Sequence, residues 1–169
     1  MRIVSQNCRG LGNQPAINSL LDLQKAEDPD ILFLSETKLC EKEMHWLKGK
    51  LNLPNMIVVD SKGRSGGLAL FWRKGVNVQL RWKGRYHIDV DVVEENGGKW
   101  RFTSIYGESK SGEKENTWKL LSTLAVQHKG PWLCMGDFNE VLFAHEKEGA
   151  QLGPLRVWRL LEWPWRMLN

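Results

Sequence analysis

The run Ile31-Leu32-Phe33-Leu34 constrains the fold of this 169-residue sequence more than any other feature. Asp28-Pro29-Asp30 closes it on one side and Ser35-Glu36-Thr37-Lys38 on the other. Four apolar residues with no polar face have strand length, and such a strand must be covered on both sides. Upstream, residues 2–7 read as an opening strand and Cys8-Arg9-Gly10-Leu11-Gly12-Asn13 as a glycine-rich turn. Over residues 14–26, Ile17, Leu20, Leu21 and Leu23 recur near helical spacing, and Pro15 stands where a first helical turn tolerates it. Strand, helix and buried strand make a β-α-β unit, so the chain must build layers.

The rest of the sequence extends that plan. A second helix is expected within residues 41–49, a strand over 55–60, and a loop or hairpin turn at Ser61-Lys62-Gly63-Arg64-Ser65-Gly66-Gly67. Strands are expected over 68–72, 76–82, 86–93 and 100–106, the last two joined through Glu95-Asn96-Gly97-Gly98. His87-Ile88-Asp89-Val90-Asp91-Val92 alternates, which predicts one solvated face. A helix over 113–127, a buried strand over 132–137 and a last helix near 155–161 complete the reading. The class is α/β or α+β, a mixed sheet with helices on its faces.

Apolar residues make up 41% of the chain and charged residues 26%, enough for a core and contrary to disorder. No run reaches the ~18 apolar residues of a membrane helix, so no membrane partner is expected. Residues 1–7 show no signal peptide. The three cysteines, Cys8, Cys40 and Cys134, are odd in number and widely spaced; reduced thiols in an intracellular setting, nuclear or cytoplasmic, are expected. His45, His87, His128 and His145 have no zinc-ligand spacing with them. The net charge of +4 permits a nucleic-acid partner without demanding one.

Four expected strands end in polar residues with metal or phosphate chemistry: Asn7, Glu36, Tyr106, and Asp137 followed by Asn139. Ligands gather at the carboxyl ends of strands in layered α/β folds. Together these ends would offer two carboxylates, two amides and a phenol. Hard oxygen donors of that kind suit Mg²⁺, which keeps several waters and shares substrate phosphate. Singly, each signal has a plain structural explanation. Glu36 would be a turn residue or helix cap, and Gly136-Asp137-Phe138-Asn139 an Asx-type turn. Gly66-Gly67 reads as a hairpin turn rather than a phosphate cradle, His45 and His145 as surface residues, and Cys8 as a packed small residue.

Taken in order, the segments are specific. Ser-Gln-Asn-Cys-Arg-Gly-Leu-Gly at 5–12, Leu-Ser-Glu-Thr-Lys at 34–38, Gly-Gly-Leu-Ala-Leu-Phe-Trp at 66–72, Ser-Ile-Tyr-Gly at 104–107 and Met-Gly-Asp-Phe-Asn-Glu at 135–140 resemble the endonuclease/exonuclease/phosphatase superfamily. With His-Glu-Lys-x-Gly at 145–149 they look most like the apurinic-endonuclease-like domain of plant LINE-type (non-LTR) retrotransposons. The resemblance implies a four-layer α/β sandwich with two facing sheets that cuts phosphodiester bonds with Mg²⁺ or Mn²⁺. It implies Glu36 as main metal ligand with Asn7 assisting at metal and phosphate. Tyr106 would contact the scissile phosphate, Asp137 would orient or deprotonate the attacking water, and Asn139 would hold the phosphate and position Asp137. DNA is the implied substrate.

The resemblance covers residues 1–149 and fades in a divergent, Trp-rich stretch over 150–169 that holds Trp158, Trp163 and Trp165. The family's later strands and its Asp-His pair have no counterpart here, which suggests a C-terminally truncated domain with an incomplete second sheet and impaired activity. The tail is then expected to cover the exposed sheet, with self-association through the exposed edge as the alternative. Three functions stay open: a metal-dependent endonuclease, a non-catalytic fragment that binds nucleic acid or a protein partner, and a small-molecule phosphatase. Lys62, Arg64, Arg73, Lys74, Arg81, Lys83 and Arg85 cluster in the strand region; they either follow a phosphate backbone or form a solvated sheet face.

Overall fold

A computed structural model describes residues 1–63, 65–108, 115–127 and 129–139. The elements are β1 (Ile3–Asn7), α1 (Gln14–Glu27), β2 (Ile31–Ser35), α2 (Glu41–Met44), α3 (Leu47–Leu51), β3 (Asn55–Val59), β4 (Leu68–Trp72), β5 (Asn77–Gly84), β6 (His87–Val93), β7 (Lys99–Tyr106), α4 (Glu115–Val126) and β8 (Trp132–Asp137). They form two four-stranded sheets, ordered β1-β2-β4-β3 and β5-β6-β7-β8. The fold is mixed α/β, as expected. The helix expected near 155–161 and the Trp-rich stretch lie outside the described residues.

Alternation along the strands fixes the layers. Val4, Leu32, Leu34, Ala69 and Phe71 face outward from the first sheet and pack with Leu20 and Leu23 of α1, Met44 of α2, and Leu47 and Leu51 of α3. Ile31, Phe33, Leu68 and Leu70 face the other way and meet Ile88, Val90, Val92, Phe102 and Met135 of the second sheet. All five β2 residues are buried, so the strand that opened the argument is covered on both faces. The start of α1 follows its sequence: the Asn13 side chain accepts from the Ala16 N–H at 2.9 Å, and Pro15 sits in the first turn. Residues 41–49 hold two short helices rather than one, broken at His45-Trp46.

The expected solvated face of β6 is a correction. His87, Asp89 and Asp91 are all buried, at 6%, 1% and 6% exposure. Their face carries an ion-pair layer that α4 covers in part. Arg101 reaches Asp89 through two 2.8 Å hydrogen bonds and donates to the Leu124 carbonyl of α4 at 2.7 Å. Arg81 pairs with Asp89 and Asp91, and Lys99 with Asp91. Desolvation pushes the Asp91 carboxyl up, but Lys99 and Arg81 hold it below its usual value. An alternating strand buries its polar residues when neighbouring strands supply matched charges.

Both sheets carry one parallel pair, β1 with β2 and β7 with β8. The register sets Asn7 opposite Ser35 and Tyr106 opposite Asp137. This topology aligns four strand carboxyl ends, two from each sheet.

Candidate active site

At that shared end the five residues singled out in the sequence come together. The Asn7 side-chain amide donates to Glu36 Oε1 at 2.9 Å and to Asp137 Oδ2 at 2.8 Å. The Tyr106 hydroxyl donates to the same Glu36 oxygen at 3.0 Å. Asn139 N–H donates to Asp137 Oδ1 at 3.0 Å, and its side-chain amide to the Gly107 carbonyl at 2.6 Å. Both oxygens of Asp137 are thus held, one from each sheet's chain ends.

Local backbone geometry aims these groups. Glu36 leaves β2 in the left-handed region at φ 52°, and Lys38 follows at φ 56°. Such a conformation costs a non-glycine residue roughly 1–2 kcal/mol. Two hydrogen bonds hold the turn, Thr37 N–H to Gly67 O at 3.1 Å and Lys38 N–H to Gly66 O at 3.0 Å. At Gly67 (φ 85°) a Cβ would stand 2.4 Å from Thr37 Oγ1, so the approach needs a glycine. The Gly66-Gly67 pair therefore does more than turn the chain between β3 and β4: it extends the β2–β4 pairing and fixes Glu36. Arg9 N–H donates to Asn7 Oδ1 at 3.0 Å, which points the amide hydrogens at the two carboxylates.

Gly107 and Gly136 were not singled out in the sequence as site residues. Gly107 N–H donates to the Asp137 carbonyl at 2.7 Å. A Cβ at Gly107 would lie 2.0 Å from Phe138 O, and one at Gly136 would lie 1.8 Å from Ile105 O. The signal was present: Tyr106-Gly107 and Gly136-Asp137 each set a glycine beside a polar strand end.

Burial, a hydrogen bond to Glu36 and its negative charge push the Tyr106 hydroxyl up to about 12, so it is a protonated donor at neutral pH. Burial, and then Glu36, push the Cys8 thiol up to about 12 as well. Cys8 packs, partly buried, against the core, and its raised thiol pKa disfavours the nucleophilic thiolate at neutral pH.

Glu36 and Asp137 share one neutral amide, and among the described residues neither has a lysine or arginine partner. Two carboxylates joined through one amide, with a phenol on one of them, fit a hard divalent cation that takes its remaining ligands from water and phosphate. The described residues contain no group of three or more His, Cys, Asp or Glu side chains placed around one point, so the fit is to that sparse kind of site rather than to an all-protein cage. His145 and the 145–149 motif lie outside the described residues.

The expected basic cluster divides. Arg73 pairs with Asp28 and Asp30 beyond the far end of β4, with Lys74 beside it in sequence, and Arg81 belongs to the buried ion-pair layer. Lys62, Lys83 and Arg85 stay at the end that carries the site. Arg64 lies outside the described residues.

A search of curated proteins finds no match to this sequence. Among solved structures, TDP2 from Caenorhabditis elegans superposes with a TM-score of 0.56 at 18% identity, over 82% of this chain and 48% of that one. The catalytic domain of Xenopus laevis APE2 gives 0.56 at 18% identity, over 83% and 59%. The 3′ phosphatase NExo from Neisseria, bound to a product DNA hairpin, gives 0.57 at 19% identity, over 82% and 58%. The chain thus spans about half the length of the C. elegans structure. These likenesses establish the fold. The sequence profile of the Endonuclease/Exonuclease/phosphatase family matches residues 4–167, and the chain belongs to that family.

Proposed function

We propose that this chain is a divalent-cation-dependent phosphodiester hydrolase acting on DNA, with Mg²⁺ or Mn²⁺ as the cation. The observation that carries the reading is the Asn7 amide shared between Glu36 and Asp137, two carboxylates with no cationic partner among the described residues. Glu36 would hold the cation, and Asn7 would assist once its side-chain oxygen turns from Arg9 N–H toward the site. When bound, the cation neutralises charge on the phosphoryl oxygens. Asp137, held through both oxygens by Asn7 and Asn139, orients the attacking water and accepts its proton. The water oxygen bonds to phosphorus as the bond to the leaving alkoxide breaks. Tyr106 keeps its proton and donates to a phosphoryl oxygen. Asn139, anchored on Gly107, steadies the phosphate beside Asp137.

The finer resemblance, to the domain of plant LINE-type retrotransposons, belongs to the same proposal and rests on the 5–12 and 145–149 motifs. An intracellular setting does too, supported by three free cysteines. The 169 residues contain no Asp-His dipeptide. We therefore expect these residues alone to turn over more slowly than a domain with that pair, by roughly 10²–10⁴-fold. The second reading is a non-catalytic module that binds nucleic acid or a protein. Self-association through the outer edge of β8 is a further proposal, supported by its place at the end of the second sheet's order among the described residues; light scattering tests it.

Nicking of supercoiled plasmid tests the reading, with Mg²⁺ or Mn²⁺, an EDTA control, and the Glu36→Ala and Asp137→Ala variants. Nicking that disappears in EDTA and in both variants supports it. Nicking that persists in either variant overturns it, and a folded chain that never nicks leaves the non-catalytic reading.

A further inference from the structure

Glu108 carries a buried carboxyl group that the proposed reaction does not use. It is 6% exposed and stands two residues beyond Tyr106, where the chain leaves β7. A carboxyl group is kept in such a place only when partners satisfy its oxygens. The Tyr86 hydroxyl donates to Glu108 Oε2. Tyr86 belongs to the short turn between β5 and β6, and its carbonyl also accepts the Tyr106 N–H at 2.8 Å. One turn residue thus grips the exit of β7 twice, by its backbone at Tyr106 and by its side chain at Glu108. The Arg85 guanidinium lies over the Tyr86 ring at 5.2 Å and restrains it. From α4, the buried Thr117 hydroxyl accepts the Glu108 N–H at 3.0 Å.

The gripped segment carries much of the site. The Tyr106 hydroxyl donates to Glu36 Oε1 at 3.0 Å. Gly107 donates to the Asp137 carbonyl at 2.7 Å, and its own carbonyl accepts the Asn139 side-chain amide at 2.6 Å. Glu108 then closes the segment onto the β5–β6 turn and α4. Tyr106 is the last residue of β7, so the direction of its ring depends on what holds the backbone that follows. A shift of residues 106–108 would move the phenol and the Asn139 anchor together. At a reacting centre a displacement of about 1 Å costs about 10²-fold in rate, so a group that holds this segment acts on the site without touching it.

We propose that Glu108 is a positioning residue of this site. Through the Tyr86 hydroxyl it locks residues 106–108, which aims the Tyr106 hydroxyl at Glu36 and sets the Gly107 carbonyl that anchors Asn139. This deepens the proposed function and rests on it for the rate effect alone. The placement of Tyr106 is tested without turnover.

Tyr86 and Tyr106 are the two tyrosines of the chain, so fluorotyrosine in place of tyrosine gives one fluorine resonance for each. Tyr106→Phe identifies the Tyr106 resonance by its loss, and Glu36→Ala marks where that resonance falls once the hydroxyl has lost its acceptor. In Glu108→Ala and in Tyr86→Phe the Tyr106 resonance should move toward the Glu36→Ala position or broaden. Glu108→Gln keeps an oxygen to accept the Tyr86 hydroxyl and should leave the resonance where it is in the unaltered chain. In plasmid nicking, Glu108→Ala and Tyr86→Phe should lower kcat about tenfold with little change in KM, and should cost less than about threefold in a Tyr106→Phe background, because coupled residues are not additive. An unmoved Tyr106 resonance in folded Glu108→Ala and Tyr86→Phe overturns the proposal, as does a Gln variant displaced as far as the Ala variant. Rate losses that multiply fully in the Tyr106→Phe background make Glu108 a general support of the fold and overturn it too. Melting of each variant separates lost placement from lost folding; should Glu108→Ala fail to fold, Tyr86→Phe, which removes a single hydroxyl, carries the test. Resonances that move as expected in proteins that never nick would leave this inference standing and the catalytic one fallen.

Discussion

Replacing Gly136 with alanine should damage the site from behind. Gly136 has φ 151°, sits opposite Ile105 in the β7–β8 pairing, and immediately precedes Asp137. An added Cβ would stand 1.8 Å from the Ile105 carbonyl oxygen and 2.8 Å from its carbon. Non-bonded carbon–oxygen contacts settle above ~3 Å, so β8 must move away from β7 by about 1 Å. That motion carries Asp137 off the Asn7 amide, 2.8 Å away, and off its alignment with Tyr106. The unfavourable φ costs about 1 kcal/mol and the forced backbone shift about 1–3 more. At ~2–4 °C per kcal/mol for a chain of this size, Tm should fall by about 4–16 °C. A 1 Å displacement of a catalytic group costs about 10²-fold in rate. Gly97→Ala is the internal control: its φ is 82°, but nothing lies within 4 Å of an added Cβ. Thermal melting of both variants beside plasmid nicking would separate the conformational cost from the clash. If Gly136→Ala melts no lower than Gly97→Ala and nicks like the unaltered chain, the argument that β8 is pressed against β7 to place Asp137 is wrong.

Other expectations follow from the same geometry. Mg²⁺ at about ten times its Kd should stabilise the folded chain by about 1.4 kcal/mol and raise Tm by about 3–6 °C, and Glu36→Ala should abolish the shift; differential scanning fluorimetry reads both. The Tyr106 hydroxyl should resist ionisation until about pH 12 in a spectrophotometric titration, and Tyr106→Phe should slow nicking by about 10–10²-fold without altering the fold. Burial holds the His87 pKa below its ordinary value, with Asp89 opposing and Arg101 reinforcing. The folded chain thus binds fewer protons at His87 than the unfolded chain does, so this stability is present above pH ~6.5 and is lost as pH falls below it; Tm measured from pH 7.5 to 5 should fall less steeply in His87→Phe. Arg101→Met would remove both 2.8 Å bonds to buried Asp89 and leave it Arg81 at 3.4 Å as its cationic partner, at a cost of up to about 3–5 kcal/mol in chemical denaturation.

The parts of this fold legible in the sequence were those governed by local pattern. The apolar run Ile31–Leu34 reads as a doubly covered strand because it shows no polar face, and β2 is buried on both sides. Asn7, Glu36, Tyr106 and Asp137, with Asn139 two residues on, stand out in the sequence because an abrupt change from apolar to polar marks a strand end. That these ends meet is a property of topology, set by the two parallel pairs β1–β2 and β7–β8. The polar face of β6 misled because alternation reports which residues share a face, not what covers it; Arg81, Lys99 and Arg101 do so from neighbouring strands. The basic cluster misled for a related reason. Nearness in sequence along antiparallel strands sends Arg73 to one end of the fold and Lys83 and Arg85 to the other. The left-handed turn at Glu36 had no local signal either, since its cause lies thirty residues on, at Gly66-Gly67.

The central claim is that the four strand ends form one divalent-cation site built on Glu36 and Asn7. Titration of Mn²⁺ followed by electron paramagnetic resonance tests it directly, because it counts bound ions without requiring turnover. The account predicts one ion per chain, displaced by Mg²⁺, lost in Glu36→Ala and weakened in Asn7→Ala. Mn²⁺ binding that is unchanged in folded Glu36→Ala would contradict it.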